Sequence, residues 1–298
     1  MTQTAAPLSS PRVPRRYGPW LTVVFLGLLG AWLLRRGLSY YRLDLSARAL
    51  HPDYRALNPG GTLGHGYGMV GTALIATNLL YLVRRRFAKH IPPQFGSMQA
   101  WLNAHVLTGL VGSLLVLFHS AFQLRTAVAA VTSISLAIVV ITGLIGLYLY
   151  LLIPKAGLKP FQRRLAELEP LLPGLVQTVH ESVRKNPVTQ LPADASFVRS
   201  VLTIPRWALQ ARARRRVVRK AAHSDRLLRV VARADRQLAH RLVAELGHLA
   251  AAEIDTHAGS AMMRSWRSLH RFLAILMLLS VSVHIAVAWY FGFRWIFE

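Results

Sequence analysis

The sequence has no cysteine. That absence excludes disulfides, iron–sulfur clusters, thiolate-ligated haem, covalently attached haem and cysteine nucleophiles from this chain. Acidic residues are scarce: 12 Asp and Glu stand against 36 Lys and Arg. No GxGxxG lies between a strand and a helix, no convincing strand exists to build a sheet, and no HExxH occurs, so neither a dinucleotide-binding fold nor a zincin centre is expected. His223, His240, His248 and His257 are scattered, and Glu245 with His248 makes only a fragment of a ligand set, so these read as surface residues. The basic excess comes without a zinc knuckle, homeodomain or RNA-binding aromatic signature, and no nucleic-acid partner is expected.

What the chain does have is apolar length. Of 298 residues, 53% are hydrophobic, and charge is partitioned between arginine-rich segments and long uncharged runs. This is the pattern of an integral membrane protein. The expected fold is an all-α helical bundle of about five transmembrane helices with a basic, helical cytoplasmic insert. Residues 1–16 form a disordered basic leader. Four spans follow at about 17–37, 64–83, 101–124 and 127–153, each near the roughly 20 residues that cross a bilayer. Arg35-Arg36 follows the first run where a signal peptide would carry small residues, so that run is read as a retained helix. Residues 265–298 hold the fifth span and a short outer tail.

The insert, 154–264, carries 20 Lys and Arg and 9 Asp and Glu. Its stretch from Trp207 to Ile254 reads as one or two amphipathic helices whose apolar stripe needs a partner: another insert helix, the membrane surface or another subunit. Basic segments favour the cytoplasmic side. The leader, Arg84-Arg85-Arg86 and the insert all fall there if the N-terminus is inside, in a bacterial inner (cytoplasmic) membrane, with the C-terminus outside. Trp101 and Trp266 then mark the inner boundary, and Trp289 and Trp295 the outer one.

Two of the spans repeat one feature. His105 and His119 lie fourteen residues apart in the third, and His270 and His284 fourteen apart in the fifth. Fourteen residues of helix rise roughly 21 Å over nearly four turns, so each pair shares a broad face with one imidazole near each side of the hydrocarbon core. Both spans run inside to outside, which sets His105 level with His270 and His119 level with His284. Ionisable residues are costly inside a membrane and normally have a partner or a function. Neutral imidazole is a strong axial ligand for haem iron, and two such ligands suit one-electron transfer rather than oxygen chemistry. Two b haems, roughly 20 Å apart, are therefore expected. Interhelical hydrogen bonds, or proton or metal-ion transport, are the rival uses of these histidines.

Neighbouring residues carry two readings each. Gly109 and Gly112, between the histidines of the third span, would let a flat macrocycle approach the backbone or let helices pack closely. Gly143 and Gly146 favour packing. Arg267 and Arg271 flank His270 and would pair with inner propionates or anchor the helix, and Arg125 would act similarly outside. His65, at the start of the second span, is a candidate for a propionate contact, a quinone contact or a plain interfacial residue. Arg42, Arg48, His51, Asp53 and Arg55 lie in the outer loop and read chiefly as solvated surface, with the mouth of a substrate or quinone site as the alternative.

With His105, His119, His270 and His284 in this layout, approximately residues 64–153 and 266–291 resemble the haem-bearing membrane domain of the ferric reductase and NADPH oxidase superfamily. Similar spacing occurs in the cytochrome b of quinol-oxidising complexes. The resemblance implies two stacked b haems held by the four histidines. Two features depart from it: no flavin–nicotinamide domain follows the last span, and the insert is large and basic. Electrons would enter from a quinone or from an iron–sulfur, flavin or multihaem cytochrome partner, so the chain is similar to the cytochrome b subunit of a bacterial redox complex. An autonomous ferric or other metal reductase is the first rival, and a non-redox scaffold or proton-coupled transporter the second.

Overall fold

The computed structural model describes residues 18–88, 90, 92–152, 159–169, 174–192, 194–222 and 236–292. The leader at 1–16, His223, Trp295 and the tail beyond Gly292 lie outside the described residues, as do parts of the insert. Within the described residues the protein is helical, without strands. The helices are α1 (Gly18–Tyr41), α2 (Tyr54–Leu57), α3 (Thr62–Arg86), α4 (Met98–His119), α5 (Ala127–Leu152), α6 (Lys159–Leu168), α7 (Leu175–Arg184), α8 (Phe197–Leu202), α9 (Ile204–Ala222) and α10 (Arg236–Tyr290). α1, α3, α4, α5 and α10 contain runs long and apolar enough to cross a membrane. Phe25, Leu28, Ile141, Phe272 and Leu279 on these helices are exposed. Large apolar side chains repeated outward along several helices match a lipid environment, where only internally hydrogen-bonded backbone is tolerated.

The chain divides into two compact units. The first comprises Met1–Leu136 with Ser280–Glu298. Its central contact is α3 on α4, brought close by facing glycines: a Cβ on Gly112 would sit 2.7 Å from the Gly71 carbonyl oxygen, and one on Gly71 2.8 Å from that of Gly112. Close backbone approach of this kind is how membrane helices gain packing contact without a hydrophobic driving force between them. Ser97 caps α4, accepting from the Ala100 amide at 3.2 Å, a satisfied donor at a helix start.

α4 stops at His119, five residues before the Leu124 boundary expected from hydropathy. Ala121 (φ 47°) and Phe122 (φ 60°) take left-handed conformations that no helix can continue through. Such backbone persists when its surroundings over-determine it. Here Arg48 does so. It is only 6% exposed, and its guanidinium donates to the carbonyls of Ala121 (2.7 Å), Tyr41 (2.8 Å) and Leu43 (2.9 Å) while lying 5.2 Å from the Tyr40 ring centre. The loop after α1 therefore holds a buried clamp on the turn after His119, where the sequence suggested chiefly solvated surface.

The second unit, Ala137–Leu279, contains the insert. Its amphipathic helices find one another. Phe161 and Leu165 of α6, Val179 of α7, Val218 of α9 and Val243, Leu246 and Ala250 of α10 form one core, and Trp207, Ala211, Ile254 and Ala261 form a second. The fifth span is not a separate helix. α10 runs unbroken for 55 residues, so about 45 Å of it, from Arg236 to Ser265, carries the insert core before the span expected from the sequence begins.

Candidate functional site

His119 is the last residue of α4, and its ring is fixed from α3. Its Nδ1 lies 2.9 Å from the Gly64 carbonyl oxygen. A carbonyl only accepts, so Nδ1 carries the proton and Nε2 keeps the lone pair. Gly68 leaves the space for this: a Cβ there would come within 2.7 Å of His119 Nδ1. His284 of α10 lies in the same unit, its ring centre 6.4 Å from that of His119 and the planes at 78°. Metal–nitrogen bonds of about 2.0–2.1 Å would put two imidazole centres on opposite sides of one metal between roughly 6.2 and 6.6 Å apart. The observed separation falls in that interval, as does the 6.3 Å between the ring centres of His65 and His119.

His284 is anchored one turn away. Ser135 and Ser280 share a 2.9 Å hydroxyl contact, and the Thr132 hydroxyl lies 3.2 Å from the Ser280 carbonyl oxygen. His65 stands beside this pair, its ring centre 6.3 Å from that of His119. Gln123, four residues past His119, is buried, and its amide nitrogen and oxygen have no hydrogen-bond partner among the described residues. A buried amide left in that state costs free energy, which makes Gln123 a group suited to a polar ligand.

His270 has an equivalent support in the second unit. Its Nδ1 lies 3.0 Å from the Thr142 hydroxyl oxygen on α5. That hydroxyl also lies 2.9 and 3.0 Å from the Ile138 and Val139 carbonyl oxygens; with its one proton given to either of them, Thr142 accepts from His270 Nδ1–H. In that tautomer Nε2 keeps the lone pair. Trp266 stacks on the imidazole with ring centres 5.2 Å apart, and its indole N–H donates to the Thr142 carbonyl at 2.8 Å. A side chain at Gly146 would overlap this indole, which gives that glycine a packing role. His105, in the first unit, has the Tyr81 ring 5.1 Å from its own.

The remaining candidates separate. Gly109 faces Asn78 of α3, with a Cβ there 3.1 Å from the Asn78 side-chain nitrogen, and Gly112 meets the Gly71 backbone. Both open toward α3, so their missing side chains serve helix approach. Arg271 is exposed, and its Nε donates to the Arg267 carbonyl at 3.3 Å. Arg267 is half-buried, and Arg125 lies exposed in the turn after α4. In the insert, His248 accepts from Arg215 at 2.6 Å.

Sequence reasoning missed Gly64, Gly68, Thr142 and the Thr132–Ser135–Ser280 cluster. A signal existed for the glycines: positions 64, 68 and 71 repeat on one helix face. Nothing in the sequence pairs Thr142 with His270. Among the described residues no three His, Asp or Glu side chains converge to hold a bare metal ion. No family model matches this chain, and no curated protein or solved structure matches it either.

Proposed function

We propose that this chain is the membrane cytochrome b subunit of a larger redox complex, carrying electrons across the bilayer through two bis-histidine b haems. One observation carries the reading: His119 and His284 stand 6.4 Å apart at their ring centres, with His119 held by Gly64 so that Nε2 is available. Metal-binding histidines characteristically donate their other ring N–H to a backbone carbonyl or similar acceptor, which fixes the tautomer and raises ligand basicity. His270 with Thr142 follows the same rule. His105 and His270 are assigned to an inner haem by the fourteen-residue spacing alone.

Haem held by two imidazoles supplies reversible one-electron transfer without an open coordination position. The chain's part is to hold these rings in the neutral state and shield them from water. On α10, His270 and His284 are separated by about 21 Å of helix, which spans most of the apolar core. Arg267 and Arg271 are the cations nearest the inner end in sequence, suited to propionates there, and Gln123 supplies an amide at the outer end. His65 is the candidate acceptor for a proton released by quinol oxidation on the outer side. The donor is a quinol or a soluble iron–sulfur, flavin or multihaem protein, and the basic insert is the surface for an inside partner.

The experiment is a reduced-minus-oxidised spectrum of the purified full chain with haem quantified per polypeptide. Two b-type centres are expected. Replacing His119 or His284 with leucine should remove one centre and retain the other. Folded protein without b-type bands would sink the proposal.

A further inference from the structure

The segment SFVRSVLTIPRWALQ begins with a capped helix: Ser196 accepts from the Arg199 amide, and α8 then runs six residues to Leu202. Thr203 interrupts it and α9 follows. One face of α9 is committed to the insert. Trp207 and Ala211 are buried against Ile254 and Ala261, with the Trp207 indole donating to the Thr189 carbonyl at 2.9 Å. Other apolar residues of α8 and α9 are not. Val198, Leu202 and Leu209 are 65%, 75% and 63% exposed, and exposed Arg199 and Arg206 are interleaved with them.

The level of this patch is set by a buried contact. The Ser265 hydroxyl donates to that of Ser200 at 2.9 Å, and both serines are buried. Ser265 lies seven residues before Phe272, where the charge-free apolar run of α10 begins, and Arg267 and Arg271 fall between them. Its neighbour Trp266 is the interfacial tryptophan of that span, and its indole is bonded to α5. α8 is therefore pinned beside α10 at the start of the Trp- and Arg-bearing turns that lead into the charge-free run, the level of the headgroups in the membrane reading of α10. Apolar residues that far exposed would be unfavourable in water, whereas apolar side chains interleaved with arginine fit the headgroup boundary. Arginine binds phosphate oxygens through its fork of N–H groups, and an anionic leaflet draws such cations to it.

We propose that residues 197–209 form an interfacial foot, which lies in the headgroup layer of the membrane crossed by α10. Val198, Leu202 and Leu209 dip toward the acyl boundary while Arg199 and Arg206 take the phosphates of anionic phospholipids. This rests on the membrane reading of α10. It is independent of haem, and it makes the foot a brace that holds the insert at a fixed height over the bilayer.

The absence of native cysteine allows single labels. Spin labels at Leu202→Cys, Leu276→Cys and Glu181→Cys are introduced separately into the full chain. Each is reconstituted in nanodiscs of phosphatidylcholine, with or without phosphatidylglycerol, and oxygen and nickel-chelate accessibility is measured. Position 276 should report hydrocarbon and position 181 water. Position 202 should show nickel accessibility several-fold below that of 181, with shielding strengthened by phosphatidylglycerol. Arg199→Glu with Arg206→Glu should abolish that strengthening. Water exposure at 202 with hydrocarbon at 276 overturns the foot and leaves the span intact, and water at 276 overturns both. Shielding of 202 that ignores phosphatidylglycerol, or that occurs only in discs with two copies, overturns the anionic-lipid assignment, the latter in favour of self-association.

Discussion

Gly68 faces the imidazole of His119 so closely that a Cβ would lie 2.7 Å from Nδ1 and 2.8 Å from Cγ. The glycine therefore sets where the ring can sit, and His119 in turn needs that position to reach the Gly64 carbonyl. Gly68→Ala should push the ring off this hydrogen bond. The expected result is loss of the outer b-type centre, about half the haem per chain, with the inner spectrum retained. Haem quantitation and redox titration of the variant check this. A full complement with unchanged potentials would mean that Gly68 has no bearing on the ligand.

Thr142 offers a cleaner separation of shape from hydrogen bonding at His270. Thr142→Val keeps the volume but removes the acceptor for His270 Nδ1–H, whereas Thr142→Ser keeps the acceptor. Loss of a partner to a metal ligand typically weakens binding by about 10–100-fold. The valine variant should release its inner haem more readily in a haem-extraction assay and show an altered midpoint potential. The serine variant should restore both. Equal behaviour of the two would reduce Thr142 to packing.

Arg48 answers three carbonyls at once, from the end of α1 to the turn behind His119. Arg48→Met fills the space but leaves these acceptors unsatisfied in a buried setting. Hydrogen bonds to charged groups and abandoned acceptors together suggest a loss of about 2–4 kcal/mol. A thermal melt in detergent should show a lowered midpoint. Arg48→Lys should rescue little, because one ammonium cannot reproduce a planar fork aimed at several carbonyls. The outer centre should be the more affected of the two, since the left-handed turn at Ala121 and Phe122 depends on the clamp.

The apolar runs and the repeated fourteen-residue histidine spacing were legible in the sequence because hydropathy and helical rise are local properties. The five long apolar helices follow from them. What pairs with each histidine was not legible. Gly64 is 55 residues from His119 and Thr142 is 128 from His270, distances closed by tertiary packing alone. Arg48 was hidden for another reason: in an outer loop a charge reads as solvated, and only the folded backbone reveals three carbonyls converging on it. The end of α4 was missed because Ala121 and Phe122 are ordinary helix residues by propensity, held left-handed by that same arginine. Continuity of α10 escaped the pattern because its composition changes from amphipathic to charge-free and apolar between Ser265 and Phe272 without a break in the backbone.

Gln123 allows a test whose sign distinguishes a ligand contact from a packing flaw. Its amide is buried without a partner among the described residues, so in haem-free protein Gln123→Leu removes an unsatisfied polar group at nearly constant volume. Replacing such a group by an apolar one is neutral or stabilising. The melting midpoint of the haem-free variant should therefore equal or exceed that of the parent. If the amide instead hydrogen-bonds a bound group at the outer end, the same substitution weakens the loaded protein by the worth of that bond, about 1–3 kcal/mol for a charged acceptor. The loaded variant should then melt below its parent and lose its outer centre first during haem extraction. Paired melts of loaded and haem-free protein decide the point. A change of one sign in both states would remove Gln123 from the site.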